Sequence, residues 1–106
     1  MKIFHKLVRD RIPQIISQNG QKPVTRILQL EEYSEELERK LDEEVWEYHQ
    51  DKNAEELADI LEVVFALGES LGVSQAELLQ IRDAKREKRG GFSDRIFLIA
   101  TEEATD

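Results

Sequence analysis

Four acidic side chains, arranged in two pairs of equal spacing, are the residues of this sequence best suited to do chemistry. Glu44 and Glu47 form the first pair, and Glu56 and Asp59 form the second. If both stretches are helical, a spacing of three residues puts both members of a pair on one face. Carboxylates that converge on one spot repel each other unless cations are bound. Hard divalent ions such as Mg²⁺ or Mn²⁺ prefer such oxygen ligands, so the pattern indicates a metal site.

The apolar pattern around these residues supports that interpretation. At about 100° per residue, Glu44 points within about 60° of Leu37 and Leu41, on the stripe that a helix buries. Glu56 lies on the same arc of the following helix as Val63. Because only a short turn separates the two helices, they are expected to pack antiparallel, with both acidic pairs near the turn. The pairs can therefore face each other.

Two simpler explanations of the acidic residues stay open at this point. Helices rich in glutamate often present a solvated acidic face that binds nothing in particular. Glu56 also follows Asn53 by three residues, the spacing at which a glutamate completes a capping box at the start of a helix.

Basic residues are concentrated in two segments and have two possible roles. Near the start of the chain they are Lys6, Arg9 and Arg11, and ahead of Gly90-Gly91 they are Lys85, Arg86, Lys88 and Arg89. Beside a metal site, such residues could bind phosphate groups. In the second segment, the simpler role is to complement the dipole at the end of a helix.

Composition limits the class of protein. The chain has 106 residues, a net charge of −8 and no cysteine. We expect a single domain over residues 1–106, because a chain of this length supports one core. The negative charge disfavours nucleic acid and anionic lipid as partners. Without a membrane-length apolar run or a signal peptide, the sequence predicts a soluble, cytoplasmic protein.

The fold predicted from these patterns is all-α: an antiparallel bundle of about four helices with short extended terminal segments. We predict a first helix capped by Asp10 and ended by Asn19-Gly20, and further helices over residues 31–50, 54–71 and 75–89. Residues 92–100 are expected to form a short strand or a docked tail, and residues 101–106 to be frayed. The third helix is apolar over too wide an arc for one neighbour, so a homodimer or dimer of dimers should complete the bundle.

Two acidic stretches and two basic ones resemble a known family. Lys40–Glu47 (K-L-D-E-E-V-W-E) and Glu55–Glu62 (E-E-L-A-D-I-L-E) resemble the E-E-x-x-E and E-x-x-D motifs of the all-α nucleoside triphosphate pyrophosphohydrolases, the MazG-like superfamily. Lys6–Pro13 (K-L-V-R-D-R-I-P) and Lys85–Phe92 (K-R-E-K-R-G-G-F) resemble the K-L-V-R-D-x-I-P and K-x-x-R-G-G-F segments of a small bacterial and phage-type branch of that group.

The resemblance implies a Mg²⁺-dependent enzyme that cleaves a nucleotide between its α and β phosphates and releases pyrophosphate; Mn²⁺ is a second candidate metal. Carried over by position, the metal ligands would be Glu44, Glu47, Glu56 and Asp59. The general base would be Glu43 or Glu44. The substrate's phosphates would be bound by Lys85 and Arg89, with Lys6 and Arg9 as further candidates. The spacer between the two acidic motifs is shorter than in many members, so no base specificity is carried over.

Two other functions remain open from the sequence. The same superfamily includes phosphoribosyl-ATP pyrophosphohydrolase of histidine biosynthesis, which cleaves the same bond in another substrate. A non-catalytic helical module that uses its acidic face to bind a partner protein is the alternative outside enzymes. The module would gain no stability from Mg²⁺, and a substrate screen would separate the two enzymes.

Overall fold

The computed structural model describes residues 1–104, and regular structure within that range is entirely helical. The helices are α1 (Ile12–Gln18), α2 (Leu30–Gln50), α3 (Ala54–Ser70) and α4 (Gln75–Arg89). No strand occurs among residues 1–104. The prediction of an all-α fold with four helices is therefore confirmed. Of the end expected to be frayed, residues 101–104 are exposed and irregular, and residues 105–106 lie outside the described range.

Local capping explains why α3 and α4 begin where the sequence predicts. The Asn53 side chain accepts a hydrogen bond from the backbone N–H of Glu56 at 3.0 Å. Ser74 and Glu77 form a complete capping box, in which each side chain accepts from the other residue's backbone N–H. These bonds satisfy amides that a helix leaves unpaired in its first turn.

The predicted cap of α1 is wrong. Arg11, not Asp10, precedes the helix, and its side chain makes no capping hydrogen bond. The backbone carbonyl of Arg9 accepts from the N–H of Ile12 at 3.0 Å instead. Pro13 in the first turn has no N–H, so fewer amides need a cap there.

The core of the chain is the antiparallel pair of α2 and α3. A hydrogen bond of 2.8 Å joins the hydroxyl groups of Ser34, near the start of α2, and Ser70, at the end of α3. Leu37 and Val63, with exposed fractions of 3% and 7%, are the only buried apolar side chains among the described residues. The pair holds Glu44 and the carboxylates of α3 at the end nearer the connecting turn.

α4 is attached to this pair at one end. It contacts α3 but not α2. At the α3–α4 turn, a Cβ on the buried Gly68 would lie 3.3 Å from the backbone oxygen of Val73 and 3.4 Å from the Leu78 side chain. Glycine thus allows this close approach. Beyond Leu79, every residue of α4 is exposed.

The single chain is elongated, with extents of 72 × 31 × 20 Å and a radius of gyration of 19.3 Å. A compact domain of this length has a radius of gyration of roughly 13 Å. α1 lies close to none of the other three helices. Large apolar side chains on α3 remain half exposed, among them Leu57 and Leu61.

The segment after α4 differs from its prediction. Residues 92–100 form neither a strand nor a docked tail: Phe92 is 98% exposed and Phe97 87% exposed. A strand needs a partner for its backbone groups, and no sheet edge is present among residues 1–104 to supply one.

None of the four helices in the described part of the chain has the length and apolar character needed to cross a membrane.

Candidate metal centre

Three carboxylates from the two packed helices converge at one site. One oxygen each of Glu44, Glu56 and Asp59 lies within 4.8 Å of the others, and all three residues are half buried. Glu44 comes from α2, and the other two lie one turn apart near the start of α3. The antiparallel packing of α2 and α3 therefore joins residues from both acidic motifs, and their oxygens suit a hard divalent cation.

The fourth predicted ligand, Glu47, stands beside this group without joining it. It is half buried, one turn after Glu44 on α2. Burial raises the pKa of the Glu56 carboxyl above its ordinary value, and the negative charges of Asp59, Glu47, Asp51 and Glu44 raise it further. Glu47 is thus close enough to act electrostatically on the group. A cation among these carboxylates would relieve the same repulsion.

Only the backbone of Glu56 takes part in capping α3; its side chain does not. Its N–H donates to Asn53, as described, but the capping box needs a second bond from the N–H of Asn53 to the Glu56 side chain. No such bond is present among the hydrogen bonds of residues 1–104. The Glu56 carboxylate instead faces the other acids.

Three basic side chains border the carboxylates. Arg9 donates to Asp59 at 2.7 Å. Lys40 lies 3.4 Å from a Glu44 oxygen and 3.3 Å from a Glu43 oxygen. Lys40 is not among the predicted site residues, although it lies four residues before Glu44, a spacing at which helical ion pairs form.

The last of these side chains, Lys6, lies 3.6 Å from the other Glu43 oxygen. The irregular segment before α1 therefore lies against the acidic site and supplies two of the three cations. Lys6 and Arg9, predicted as phosphate contacts, are at the site, and so is Glu43, predicted as a possible base. Positive groups of this kind can bind carboxylate or phosphate with the same geometry.

The predicted phosphate contacts on α4 are not at the site within one chain. Lys85 and Arg89 are exposed. Neither forms an ion pair or a side-chain hydrogen bond with the carboxylates in the described part of the chain. The Arg89 side chain, with Arg86, borders a hollow formed by residues 90–96. The helix-dipole role fits their position at the end of α4, which has three basic residues in its last turn.

The raised pKa of Glu56 predicts a pH dependence of stability. Below the ordinary pKa of a glutamate, the Glu56 carboxyl is protonated in both the folded and the unfolded chain, and its contribution to the stability of the fold is fully present. As pH rises through the raised, folded-state value, the folded protein must release a proton that it holds more tightly than the unfolded chain, and that contribution is lost. Glu56→Gln stays neutral and loses nothing. We therefore expect the melting temperature of Glu56→Gln without metal to match wild type at acid pH and to exceed it at neutral pH.

A glutamate with the opposite shift provides the control. Arg26 donates two hydrogen bonds to Glu32, of 3.0 and 2.7 Å, and lowers the pKa of that carboxyl. The ion pair of Glu32 with Arg26 therefore stabilises the fold above the ordinary pKa of a glutamate, and this stabilisation is lost as pH falls. Glu32→Gln should accordingly lower the melting temperature at neutral pH. Equal melting curves of wild type and Glu56→Gln at neutral pH would contradict the prediction.

Comparison with known proteins gives one partial match. An uncharacterized protein of Mycolicibacterium smegmatis is 55% identical over 42 residues, which cover 40% of this chain and 43% of that protein. No family model matches the chain. No solved structure matches it either. The aligned stretch is less than half of either chain, so the site must be interpreted from its own geometry.

Proposed function

We propose that this protein is a metal-dependent nucleotide pyrophosphohydrolase, which cleaves a nucleoside triphosphate between its α and β phosphates to give the monophosphate and pyrophosphate. The observation that carries the proposal is the meeting of Glu44, Glu56 and Asp59 from two helices, within 4.8 Å and half buried. The resemblance of the surrounding motifs to MazG-like enzymes supports the same activity. A solvated acidic face would not require carboxylates from two helices to converge.

The donor set fits Mg²⁺ or Mn²⁺. Glu44, Glu56 and Asp59 would hold the metal, with Glu47 as a further ligand. When bound, the metal would offset the charge of the triphosphate and lower the pKa of a water molecule. Glu43 or Glu44 would accept a proton from the attacking water. Lys6 and Arg9, already beside these acids, would exchange carboxylate partners for phosphate oxygens.

Lys85 and Arg89 require a second copy of the chain to take part. In one chain they lie on the exposed half of α4, a helix that contacts α3 but not α2. The single chain is also too elongated and too poorly buried for a stable domain. We propose that a homodimer or dimer of dimers completes the helical bundle and brings the basic end of α4 to the acidic site of another copy.

A substrate screen tests the activity. Purified protein is incubated with a panel of ribonucleoside and deoxyribonucleoside triphosphates and with phosphoribosyl-ATP, each with Mg²⁺, with Mn²⁺ or with a chelator. We expect metal-dependent release of one pyrophosphate per nucleotide. Release from phosphoribosyl-ATP alone would favour the histidine-biosynthesis enzyme. No release from any substrate with either metal would contradict the proposal.

The proposed role of α4 predicts complementation between two inactive variants. Lys85→Ala/Arg89→Ala should retain metal binding and lose about 2–4 kcal/mol of transition-state stabilisation. Asp59→Asn should lose the metal site. Mixed and reassembled in equal amounts, the two variants should regain roughly a quarter of wild-type activity if each site combines two chains. No recovery in mixed assemblies would contradict the contribution from a second copy.

The alternative of a non-catalytic interaction module is favoured by a separate observation. Trp46, Leu57 and Leu61 are each about half exposed on α2 and α3. Exposed apolar side chains of this kind can bind a partner protein as well as a second copy. Such a module would release no pyrophosphate, and its melting temperature would be the same in Mg²⁺ and in chelator.

A further inference from the structure

The segment that follows α4 presents a row of apolar side chains to water in the single chain. Phe92, Ile96, Phe97, Leu98 and Ile99 are each at least 74% exposed. Four of them are consecutive, so apolar groups point to both sides of the segment. Contiguous apolar surface of this kind marks an interaction site in soluble proteins. We call residues 92–99 the apolar tail.

α3 has an apolar stripe that its own chain covers at one end only. Leu57, Leu61, Val64 and Gly68 follow each other at the spacings of four, three and four residues that keep to one side of a helix. At the Gly68 end, the side chain of Leu78 from α4 packs against the stripe. Leu57 and Leu61, at the other end, are about half exposed. We call this uncovered end, Leu57 and Leu61, the open stripe.

The apolar tail and the open stripe of one chain lie apart. The turn into α4 follows the end of α3, 13 residues after Leu57, which is about 20 Å along the helix. Beyond Leu79 every residue of α4 is exposed, so the helix does not fold back over α3. The tail begins after a further ten residues of this exposed helix. Each surface therefore needs a partner from outside its own chain.

We propose that the apolar tail of one copy packs on the open stripe of a second copy, which returns the same contact with its own tail. Such an exchange of one segment between identical chains forms a closed, symmetric dimer. The contact deepens the proposed function, because it names the surfaces that join the copies sharing a site. It does not depend on catalysis.

The charges beside the two surfaces are complementary. Residues 85–95, which lead into the apolar tail, contain five basic and two acidic residues. Residues 54–62, which include the open stripe, contain four acidic and no basic residues. Opposite charges around an apolar contact guide two surfaces together and disfavour other pairings. The basic end of one copy is therefore attracted to the end of α3 where the open stripe lies.

The two surfaces also match in size. Eight extended residues span at most about 29 Å, and the 17 residues of α3 span about 25 Å. Each buried phenylalanine covers roughly 150–250 Å², so the four in two tails cover roughly 600–1,000 Å². A stable interface buries about 1,200–2,000 Å² in total. The aliphatic side chains of the tails and the surfaces of α3 that they cover can supply the remainder.

Disulfide trapping tests the contact, and every thiol is an introduced one because the chain has no cysteine. Variants with one cysteine in the tail (Ile96→Cys, Phe97→Cys or Leu98→Cys) are unfolded together with Leu57→Cys or Leu61→Cys, refolded and oxidised. The two thiols are on different chains, so every disulfide between tail and α3 joins two copies. Linked peptides are quantified by mass spectrometry.

Glu38→Cys, at an exposed position of α2, replaces the α3 variant in the control mixture. Since a disulfide needs Cβ atoms within about 4.5 Å, we expect at least one tail position to give about tenfold more linked dimer with the open stripe than with the control. Tail disulfides that are no more frequent with the open stripe than with Glu38→Cys would overturn the proposal. A dimer in which Leu61→Cys links only to itself would do so too, because α3 would then face α3.

The mass of a tail variant provides an independent test. Phe97 is exposed in the single chain, so Phe97→Asp removes little from the fold of one copy. Packed against α3 of another copy, the same carboxylate would be buried without a partner. We expect sedimentation velocity to show a fall from an assembly to one chain, whereas Thr101→Asp, at an exposed position beyond the tail, keeps the wild-type mass. An unchanged mass for Phe97→Asp would overturn the proposal.

The contact and the enzymatic activity fail separately. Tail disulfides with the open stripe, without pyrophosphate release from any nucleotide, would support the exchanged tail and contradict the pyrophosphohydrolase. Metal-dependent pyrophosphate release, with no preference of the tail for the open stripe, would overturn the exchanged tail and leave the pyrophosphohydrolase intact.

Discussion

Asp59→Asn is expected to lower the rate of pyrophosphate release by at least about a thousandfold, because the proposed activity needs a metal that Glu44, Glu56 and Asp59 would hold. Asparagine keeps the shape of the side chain and an oxygen that can accept from Arg9, so the fold should persist. It removes one negative charge from a group whose other members lie within 4.8 Å. Pyrophosphate release under substrate saturation, with Mg²⁺, measures the effect.

The exposed Asp42 on the same helix pair provides a matched control. Asp42→Asn makes the same chemical change outside the acidic site and should keep wild-type turnover. Metal binding provides a second measurement, because a ligand that binds only the folded state raises its melting temperature. Millimolar Mg²⁺ should stabilise wild type and Asp42→Asn against heat, but not Asp59→Asn. Identical melting of the wild type in Mg²⁺ and in chelator would remove the main support for a metal site.

Leu61→Asp is expected to break the assembly of chains. The side chain is 52% exposed in the single chain, so an aspartate there would meet water and cost a lone folded chain little. In a bundle completed by another copy, the same aspartate would be buried without a partner, at a cost that dissociates the copies. Sedimentation velocity at tens of micromolar should show a wild-type mass of at least a dimer and a variant that is monomeric or aggregated.

Gln14→Asp, at an exposed position of α1, introduces the same charge away from the apolar face and should keep the wild-type mass. Because the basic end of α4 is proposed to act on another copy, Leu61→Asp should also lose pyrophosphate release. A wild-type protein that is a monodisperse monomer at these concentrations would contradict the prediction, and the exposed side chains of α3 would then need another partner.

Helix positions were predictable because the signals are local. Asn53 begins α3, and Ser74 with Glu77 begins α4, through hydrogen bonds within four residues of sequence. The predicted cap of α1 is wrong because the backbone carbonyl of Arg9, and not the Asp10 side chain, accepts a hydrogen bond at the start of the helix. The pattern of side chains gives no information about such a backbone hydrogen bond. The exposed segment from Phe92 was mispredicted because apolar composition gives no information on whether a neighbour exists.

The acidic site was partly predictable for a different reason. Glu44 and Glu56 lie on apolar stripes, and two helices joined by a short turn have only one simple way to pack. Which oxygens come within 4.8 Å of one another depends on the rotation of each helix about its axis, and Glu47 is not among the three residues that meet. The position of α4 depends on contacts between helices, so the sequence could not indicate that Lys85 and Arg89 are separated from the acids within one chain.

The small core of the single chain would make folding depend on concentration if, as proposed, other copies complete the bundle. Leu37 and Val63 are the only buried apolar side chains among residues 1–104, a small core to set against the conformational entropy lost on folding. If other copies supply the missing contacts, folding and association are one reaction, and dilution acts on the protein as a denaturant does. The midpoint of unfolding then rises with the logarithm of total protein, and the amount of chain in the cell sets the fraction that is folded and active.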